Sequence, residues 1–181
     1  MLPDATLYQR PVELLQRFIR FDTTNPPGNE VECIRFINDL LKGTGCSTQI
    51  IAKDPLRPNL LTRLSGKGEA PPLLLYNHVD VVTTENQEWE NDPFGGEIGD
   101  GFVWGCGALD MNSGVAMMLA AVTDARFFSR LGIQTYGFTP MQLPPGMDFA
   151  KIAHGANERI PVEAVSFGAD AIYQVLQRFH G

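Results

Sequence analysis

An apolar run that ends in a His-Val-Asp triplet restricts the fold of this chain more than any other segment. The run extends from Leu73 to Tyr76, with two prolines before it and with His78 and Asp80 after it. A short apolar run between such breakers predicts a buried strand. Because strand side chains alternate between two faces, His78 and Asp80 are expected to point the same way. Open α/β sheets bind ligands beyond the carboxyl ends of their strands, so the triplet marks a candidate site.

The residue types in and after this triplet favour a metal site. A carboxylate beside an imidazole fixes its tautomer and leaves the other ring nitrogen free for a metal, so Asp80 would orient His78. Asp110 follows a glycine-rich segment and precedes a helical pattern, a position from which a carboxylate can bridge two ions. A histidine at a strand end is in general more often structural than a ligand. This motif alone therefore leaves both interpretations open.

Hydrophobic periodicity indicates the elements around this site. It predicts helices at 11–21, at 31–42, at 115–131 and from Pro161 onward. It predicts strands at 47–52, 59–64 and 133–138, and a small hairpin over 97–104. The order of these elements predicts the α/β class, with a layered, mixed and mostly parallel sheet flanked by helices.

Composition narrows the partners and the compartment. At 181 residues a single domain is the default, and a net charge of −7 argues against nucleic acid and anionic membranes as partners. The three cysteines form no CxxC pair, so neither a disulfide framework nor a thiolate zinc site is indicated. Reduced thiols predict a cytoplasmic protein. The sequence shows no signal peptide pattern and no run of membrane-spanning length.

Several blocks, in their order along the chain, resemble the zinc-dependent metallopeptidase and deacylase family of aminoacylase, acetylornithine deacetylase and succinyl-diaminopimelate desuccinylase. The blocks are the segment TTNPPGNE at 23–30, the His78-Val79-Asp80 triplet, and segments 89–94 and 105–114. Segments 123–127 and 154–161 resemble C-terminal blocks of that family. The resemblance implies a two-zinc hydrolase of amide or peptide bonds in N-acyl amino acids or small peptides.

The resemblance also implies roles for particular residues. His78 would bind one zinc ion, Asp110 would bridge both ions, and His154 would bind the other. A cis peptide is expected directly after the bridging aspartate, between Asp110 and Met111. Gly137 would lie in a loop that lines the substrate pocket. Asn112 departs from the pattern, because the family usually has a lysine there.

Part of the family pattern is missing from the middle of the chain. The sequence contains no Glu-Glu pair, which in the family supplies the general base and one metal ligand. The third acidic ligand and the lid domain are also absent, because two blocks that the family separates abut near 122–123. The expectation is a single, internally deleted catalytic-type domain over 1–181. Each ion would keep two protein ligands, fewer than the three of catalytic zinc, so zero or one weakly bound zinc ion is expected.

Three functions remain open at this point. The lineage implies an amide-bond hydrolase, but loss of a general base removes roughly 100-fold to 10,000-fold of the rate. An inactive or strongly impaired member is therefore favoured over an active one. The alternative is a non-catalytic binding or interaction module on the same fold. An exposed sheet edge left by missing strands would favour self-association. Segment 157–159 is as compatible with a solvated cap before Pro161 as with an element of the site.

Overall fold

The computed structural model describes residues 6–65, 74–124 and 140–178. A short 3-10 turn, Leu7–Gln9, precedes the first helix. The α-helices are α1 (Pro11–Ile19), α2 (Val31–Leu40), α3 (Asn112–Asp124), α4 (Phe149–Ile152) and α5 (Val162–Arg178). The strands are β1 (Ser47–Ile51), β2 (Asn59–Arg63), β3 (Ile98–Gly99), β4 (Phe102–Trp104) and β5 (Arg159–Pro161). The mixed α/β class is as expected from the sequence.

The core lies where α1, α3 and α5 pack together. Helix α1 starts at Pro11, which suits the first turn, and it buries the apolar face formed by Leu14, Leu15, Phe18 and Ile19. Helix α3 is apolar nearly all round, as expected for a helix with buried neighbours on several sides. Gly168 allows α5 to approach α3 closely, because a Cβ there would overlap Met117 Sδ. This packing fixes the end of α3 that follows Asp110.

The described strands form two small antiparallel sheets. Strands β1 and β2 pair from Ser47 opposite Arg63 to Ile51 opposite Asn59. Strands β3, β4 and β5 form the second sheet in that order. The β3–β4 hairpin turns at Asp100 and Gly101, both with positive φ, as a two-residue hairpin loop requires.

The expected mostly parallel order is not formed by the described strands. The segment predicted as a buried strand before His78 is extended but unpaired over 74–80, with Tyr76 75% exposed. Its parallel pairing is limited to an isolated bridge between Thr24 and Val81. A strand needs neighbours on its edges for burial, and the predicted strand at 133–138 lies outside the described residues. The antiparallel ladder β3–β4 needs only a local turn, which explains why it forms as predicted.

Other predicted elements agree with the structure within a few residues. Helices α1 and α2 and strands β1 and β2 all lie inside their predicted ranges. The predicted helix over 115–131 begins earlier, at Asn112, and is described as far as Asp124. Strand β5 was missed because three residues before α5 are too few for a periodic signal. In the described part of the chain, no helix combines the length and apolar character needed to cross a membrane.

Candidate metal centre

His78 and Asp80 lie side by side at the end of the extended segment. His78 Nδ1 is 3.0 Å from the main-chain oxygen of Asp80 and 3.2 Å from its Oδ1. These contacts occupy Nδ1 and leave Nε2 facing away from Asp80. This is the arrangement by which a carboxylate orients a metal-binding imidazole. The orienting role of Asp80 stays a prediction that this geometry supports.

Asp80 is itself held by the loop that follows α1. Asn25 Nδ2 donates a hydrogen bond to Asp80 Oδ2 at 2.8 Å, and Arg57 Nη2 lies 4.0 Å from the same oxygen. Arg57 also donates to Glu30, whose side chain is 6% exposed, at 3.0 Å. The hydrogen bond and the charge of Glu30 raise the pKa of Arg57. Asn25 thus contacts Asp80 directly, and Arg57, held by Glu30, lies next to the same carboxylate oxygen.

The Asp110 carboxylate lies between the two candidate histidine ligands. His154 Nε2 is 2.8 Å from Asp110 Oδ2, and His78 Nε2 is 3.7 Å from Asp110 Oδ1. The Asp110–Met111 peptide is cis, as the resemblance predicted. His154 has a φ of +64°, in the left-handed region that non-glycine residues rarely adopt. The fold therefore brings together three residues that lie 32 and 44 positions apart in the chain.

The candidate ligands are of side-chain types that bind zinc, but there are too few of them for each ion. Ligands 2.0–2.2 Å from a tetrahedral zinc are about 3.3 Å from each other, between the two distances measured here. Each imidazole faces a different oxygen of Asp110, so each side of the carboxylate offers two protein ligands. Among the described residues, no three or more His, Cys, Asp or Glu side chains are grouped so that they could hold one metal ion. The part of the chain that the structure describes therefore assembles no centre with three protein ligands per ion.

Glu158 is a site residue that the sequence analysis did not single out. Its side chain is buried, with 1% of the residue exposed. Its carboxylate accepts hydrogen bonds from the main-chain N–H groups of Leu109 at 2.7 Å, Asp110 at 3.0 Å and His154 at 3.3 Å. Burial raises the pKa of Glu158, and these N–H groups act in the opposite direction. A weak sequence signal was its spacing from Ile160, since Glu158 directly precedes the short strand β5 and lies two residues before this buried residue.

A second contact joins the His154 loop to the block at 89–94. The main-chain N–H of Glu90 donates to Asn157 Oδ1 at 2.8 Å, and Asn157 Nδ2 donates to Glu90 Oε1 at 3.4 Å.

Three other residues from the sequence analysis have the following positions. The thiol of Cys106 donates to Val82 O at 3.5 Å. Asn112, the departure from the family lysine, is 2% exposed. Gly137 lies outside the described residues, so its pocket role stays a prediction.

Comparison with known proteins agrees with this geometry. Residues 74–123 match the model of peptidase family M20/M25/M40. This match covers 50 of the 181 residues of the chain, so it shows a similarity to the family over less than a third of the chain. The matched range contains His78, Asp80 and Asp110, while His154 and Glu158 lie beyond it. The relationship supports the hydrolase lineage that the residue pattern implied.

The curated relatives that this chain matches are considerably longer than it is. It is 37% identical over 115 residues to a succinyl-diaminopimelate desuccinylase of Cereibacter sphaeroides, covering 63% of this chain and 30% of the relative. It is also 37% identical over 114 residues to the desuccinylase of Methylorubrum extorquens, covering 61% and 29%. The chain thus spans about 30% of the length of the relatives that it matches.

Solved structures have a fold similar to that of this chain. Human carnosine dipeptidase 1 superposes with a TM-score of 0.56 at 22% identity, covering 70% of this chain and 30% of that one. An M20 family metallo-carboxypeptidase from Sulfolobus solfataricus gives a TM-score of 0.55 at 20% identity, covering 65% and 27%. At these identities the similarity concerns the fold alone.

Proposed function

We propose that this chain is an M20-type metal-binding domain whose hydrolysis of amide or peptide bonds is lost or strongly impaired. The observation that carries the proposal is the Asp110 carboxylate, which faces His78 on one oxygen and His154 on the other. We further propose that it binds zinc weakly, with no more than one ion per chain. His78, Asp110 and His154 would hold this ion together only if the two histidines moved to the same side of Asp110. Any remaining substrate would be an N-acyl amino acid or a small peptide.

The protein residues support binding better than catalysis. When bound, zinc would supply Lewis-acid polarisation of a carbonyl and activation of a water molecule. Asp80 orients His78 toward Asp110, and the second histidine approaches from the loop before β5. Each oxygen of Asp110 pairs with one imidazole, so an ion on either side would have two protein ligands rather than three. Weak affinity follows from that ligand count.

The two carboxylates next to the proposed ligands are both engaged. Asp80 contacts His78 and accepts a hydrogen bond from Asn25. Glu158 is buried and uses its oxygens to accept main-chain N–H groups. Neither is free to take a proton from an attacking water molecule, and the sequence has no Glu-Glu pair to do so. Loss of a positioned general base lowers the rate by roughly 100-fold to 10,000-fold.

The internal deletion and the compartment belong to the same proposal. A single domain over 1–181, with a junction near 122–123, is supported by α3, which continues through these positions as one helix to Asp124. The three cysteines are free thiols, which supports a reducing, cytoplasmic environment.

A non-catalytic interaction module is the second candidate, and the β1–β2 ribbon favours it. Ile50, Ile51 and Leu61 are 45%, 49% and 50% exposed on this two-stranded sheet. A ribbon with exposed apolar side chains and open edges is a template for further strands. Such a module would bind through the ribbon whether or not the metal site is occupied.

Zinc content per chain tests the first proposal directly. Protein purified without chelator and then dialysed should retain zinc, at no more than one ion per chain, as measured by mass spectrometry of the metal. His78→Ala and His154→Ala should abolish retention, while His180→Ala, which changes the third histidine of the chain, should not. Absence of zinc from the unmodified protein would refute the metal-binding proposal and leave the interaction module. Hydrolysis of N-acyl amino acids at a rate typical of enzymes, about 10 per second, would refute the impairment.

A further inference from the structure

Glu158 places one carboxylate between the loop that carries Asp110 and the loop that carries His154. Its Oε1 accepts the N–H groups of Leu109 and Asp110, and its Oε2 accepts the N–H group of His154. We propose that Glu158 is a positioning residue that sets the separation of Asp110 and His154. The proposal deepens the proposed function and rests on it only for the zinc measurement described below.

The main chain of Glu158 is fixed before its side chain reaches the site. Its carbonyl oxygen accepts the N–H group of Gly105 at 2.9 Å, directly after β4. The next residues pair with β4, with Arg159 opposite Trp104 and Ile160 opposite Val103. Ile160 and Val103 are both fully buried. The carboxylate therefore extends from the residue directly before β5, whose main chain is hydrogen-bonded to the residue that follows β4.

The two loops depend on this carboxylate for their hydrogen bonds. Leu109 is fully buried, so its N–H group is away from water and would be unpaired without Glu158. An unpaired buried N–H group is unfavourable, and nearly all such groups in proteins have an acceptor. His154 has a φ of +64°, which persists in a non-glycine residue only when surrounding contacts enforce it. The Glu158 hydrogen bond to the His154 N–H group is such a contact.

The distance between the proposed ligands follows from these bonds. Glu158 binds the main chain of Asp110 and of His154, whose side chains meet at 2.8 Å on the opposite side. In the described residues no Lys, Arg or His side chain forms an ion pair with Glu158, so its acceptor capacity serves these N–H groups. Residues that orient metal ligands in this way typically change metal affinity by about 10–100-fold when they are mutated.

Glu158→Gln is the variant that tests the proposal, because it keeps the size and removes one acceptor. The new NH2 group donates rather than accepts, so it must face a main-chain N–H group. In metal-free protein, amide hydrogen exchange measured by NMR should become at least about 10-fold faster at Leu109, Asp110 or His154. Zinc affinity measured by titration calorimetry should fall by about 10–100-fold.

Ile160→Val is the matched control, two residues away in the strand β5 that directly follows Glu158. It removes one methyl group from the core, a loss of stability without loss of a hydrogen bond to either loop. Exchange at the three amides and the zinc affinity should both stay within about 2-fold of the unmodified protein. A purely structural role of Glu158 would make both variants behave alike.

The outcomes separate this proposal from the proposed function. If the unmodified protein holds no zinc, the metal proposal fails, and hydrogen exchange in metal-free protein still decides the role of Glu158. Unchanged exchange in Glu158→Gln would overturn the positioning role, and so would faster exchange with unchanged zinc affinity. If Glu158→Gln does not fold, the unmodified protein decides: slow exchange at the three amides supports the proposal, and unprotected amides overturn it.

Discussion

The reactivity of the three cysteines tests how strongly the fold buries two of their thiols. Cys106 is 2% exposed, and burial, with the charges of Glu158 and Asp22, raises its pKa to about 12. Burial, with the charge of Glu30, also raises the pKa of Cys33 to about 12. Cys46 is partly exposed. We therefore expect one thiol per native chain, that of Cys46, to react rapidly with a disulfide reagent such as DTNB at pH 8.

The size of the effect follows from these pKa values. A thiol with the ordinary pKa of 9.0 is about one tenth ionised at pH 8, while a thiol with a pKa of about 12 is ionised in about one molecule in ten thousand. The thiolate is the reactive form, so Cys33 and Cys106 should react about 1,000-fold more slowly than a thiol of ordinary pKa. Steric protection would slow them further. In urea all three thiols should react. Cys46→Ser should remove the fast phase, and Cys106→Ser should leave it unchanged.

The same pKa values predict how stability depends on alkaline pH. The pKa of each buried thiol is higher in the folded than in the unfolded chain, so the folded state binds protons more tightly. This contribution is fully present below pH 9 and is lost as pH rises from about 9 to about 12. By pH 10 each thiol should lower the free energy of unfolding by about 1.4 kcal/mol, as measured by urea denaturation. Rapid reaction of two or three native thiols at pH 8, or no difference in alkaline slope between the protein and Cys33→Ala, would refute this reasoning.

Three further predictions concern packing, the Asp80 support and association. Gly168→Ala should lower the free energy of unfolding by about 1–2 kcal/mol, because the new Cβ would overlap Met117 Sδ and lie 2.5 Å from Pro140 O. This strain exceeds the gain of about 1 kcal/mol in helix propensity. Ser166→Ala on the exposed side of α5 is the control and should stabilise slightly, so urea denaturation that ranks the two variants equally would contradict the packing argument. Arg57→Met should lower the free energy of unfolding in the same assay, because it leaves the buried Glu30 carboxylate without its charged donor. Arg35→Met, which removes an exposed pair with Glu32, is the control and should have a smaller effect, below about 0.5 kcal/mol. Light scattering over a concentration series should show self-association. Leu61→Lys should weaken it, and the control Glu32→Lys on the α2 surface should not. A monomer at all concentrations would exclude association through the β1–β2 ribbon.

Local patterns were predictable wherever a short segment carries its own structural reason. The amphipathic spacing of α1 and the Gly101 turn between β3 and β4 needed no knowledge of distant residues. The chemistry of His78, Asp80 and Asp110 was equally visible, because residue type and spacing suffice to suggest a metal ligand. The absence of a Glu-Glu pair, which limits the proposed catalysis, is a property of the sequence itself.

Other features depend on contacts between residues far apart in the chain. The segment before His78 has the composition of a buried strand, but burial requires neighbouring strands, and Tyr76 is exposed where the described residues supply none. Glu158 has the residue type of a surface position, yet the fold buries it because three main-chain N–H groups converge there. The amino-acid sequence thus determined the residue types at the site and the short-range elements that carry them. Only the tertiary structure decided that Asp110 faces both histidines and that Glu158 supports the two loops. Contacts of Asp110 with residues 32, 44 and 48 positions away are set by packing rather than by local propensity.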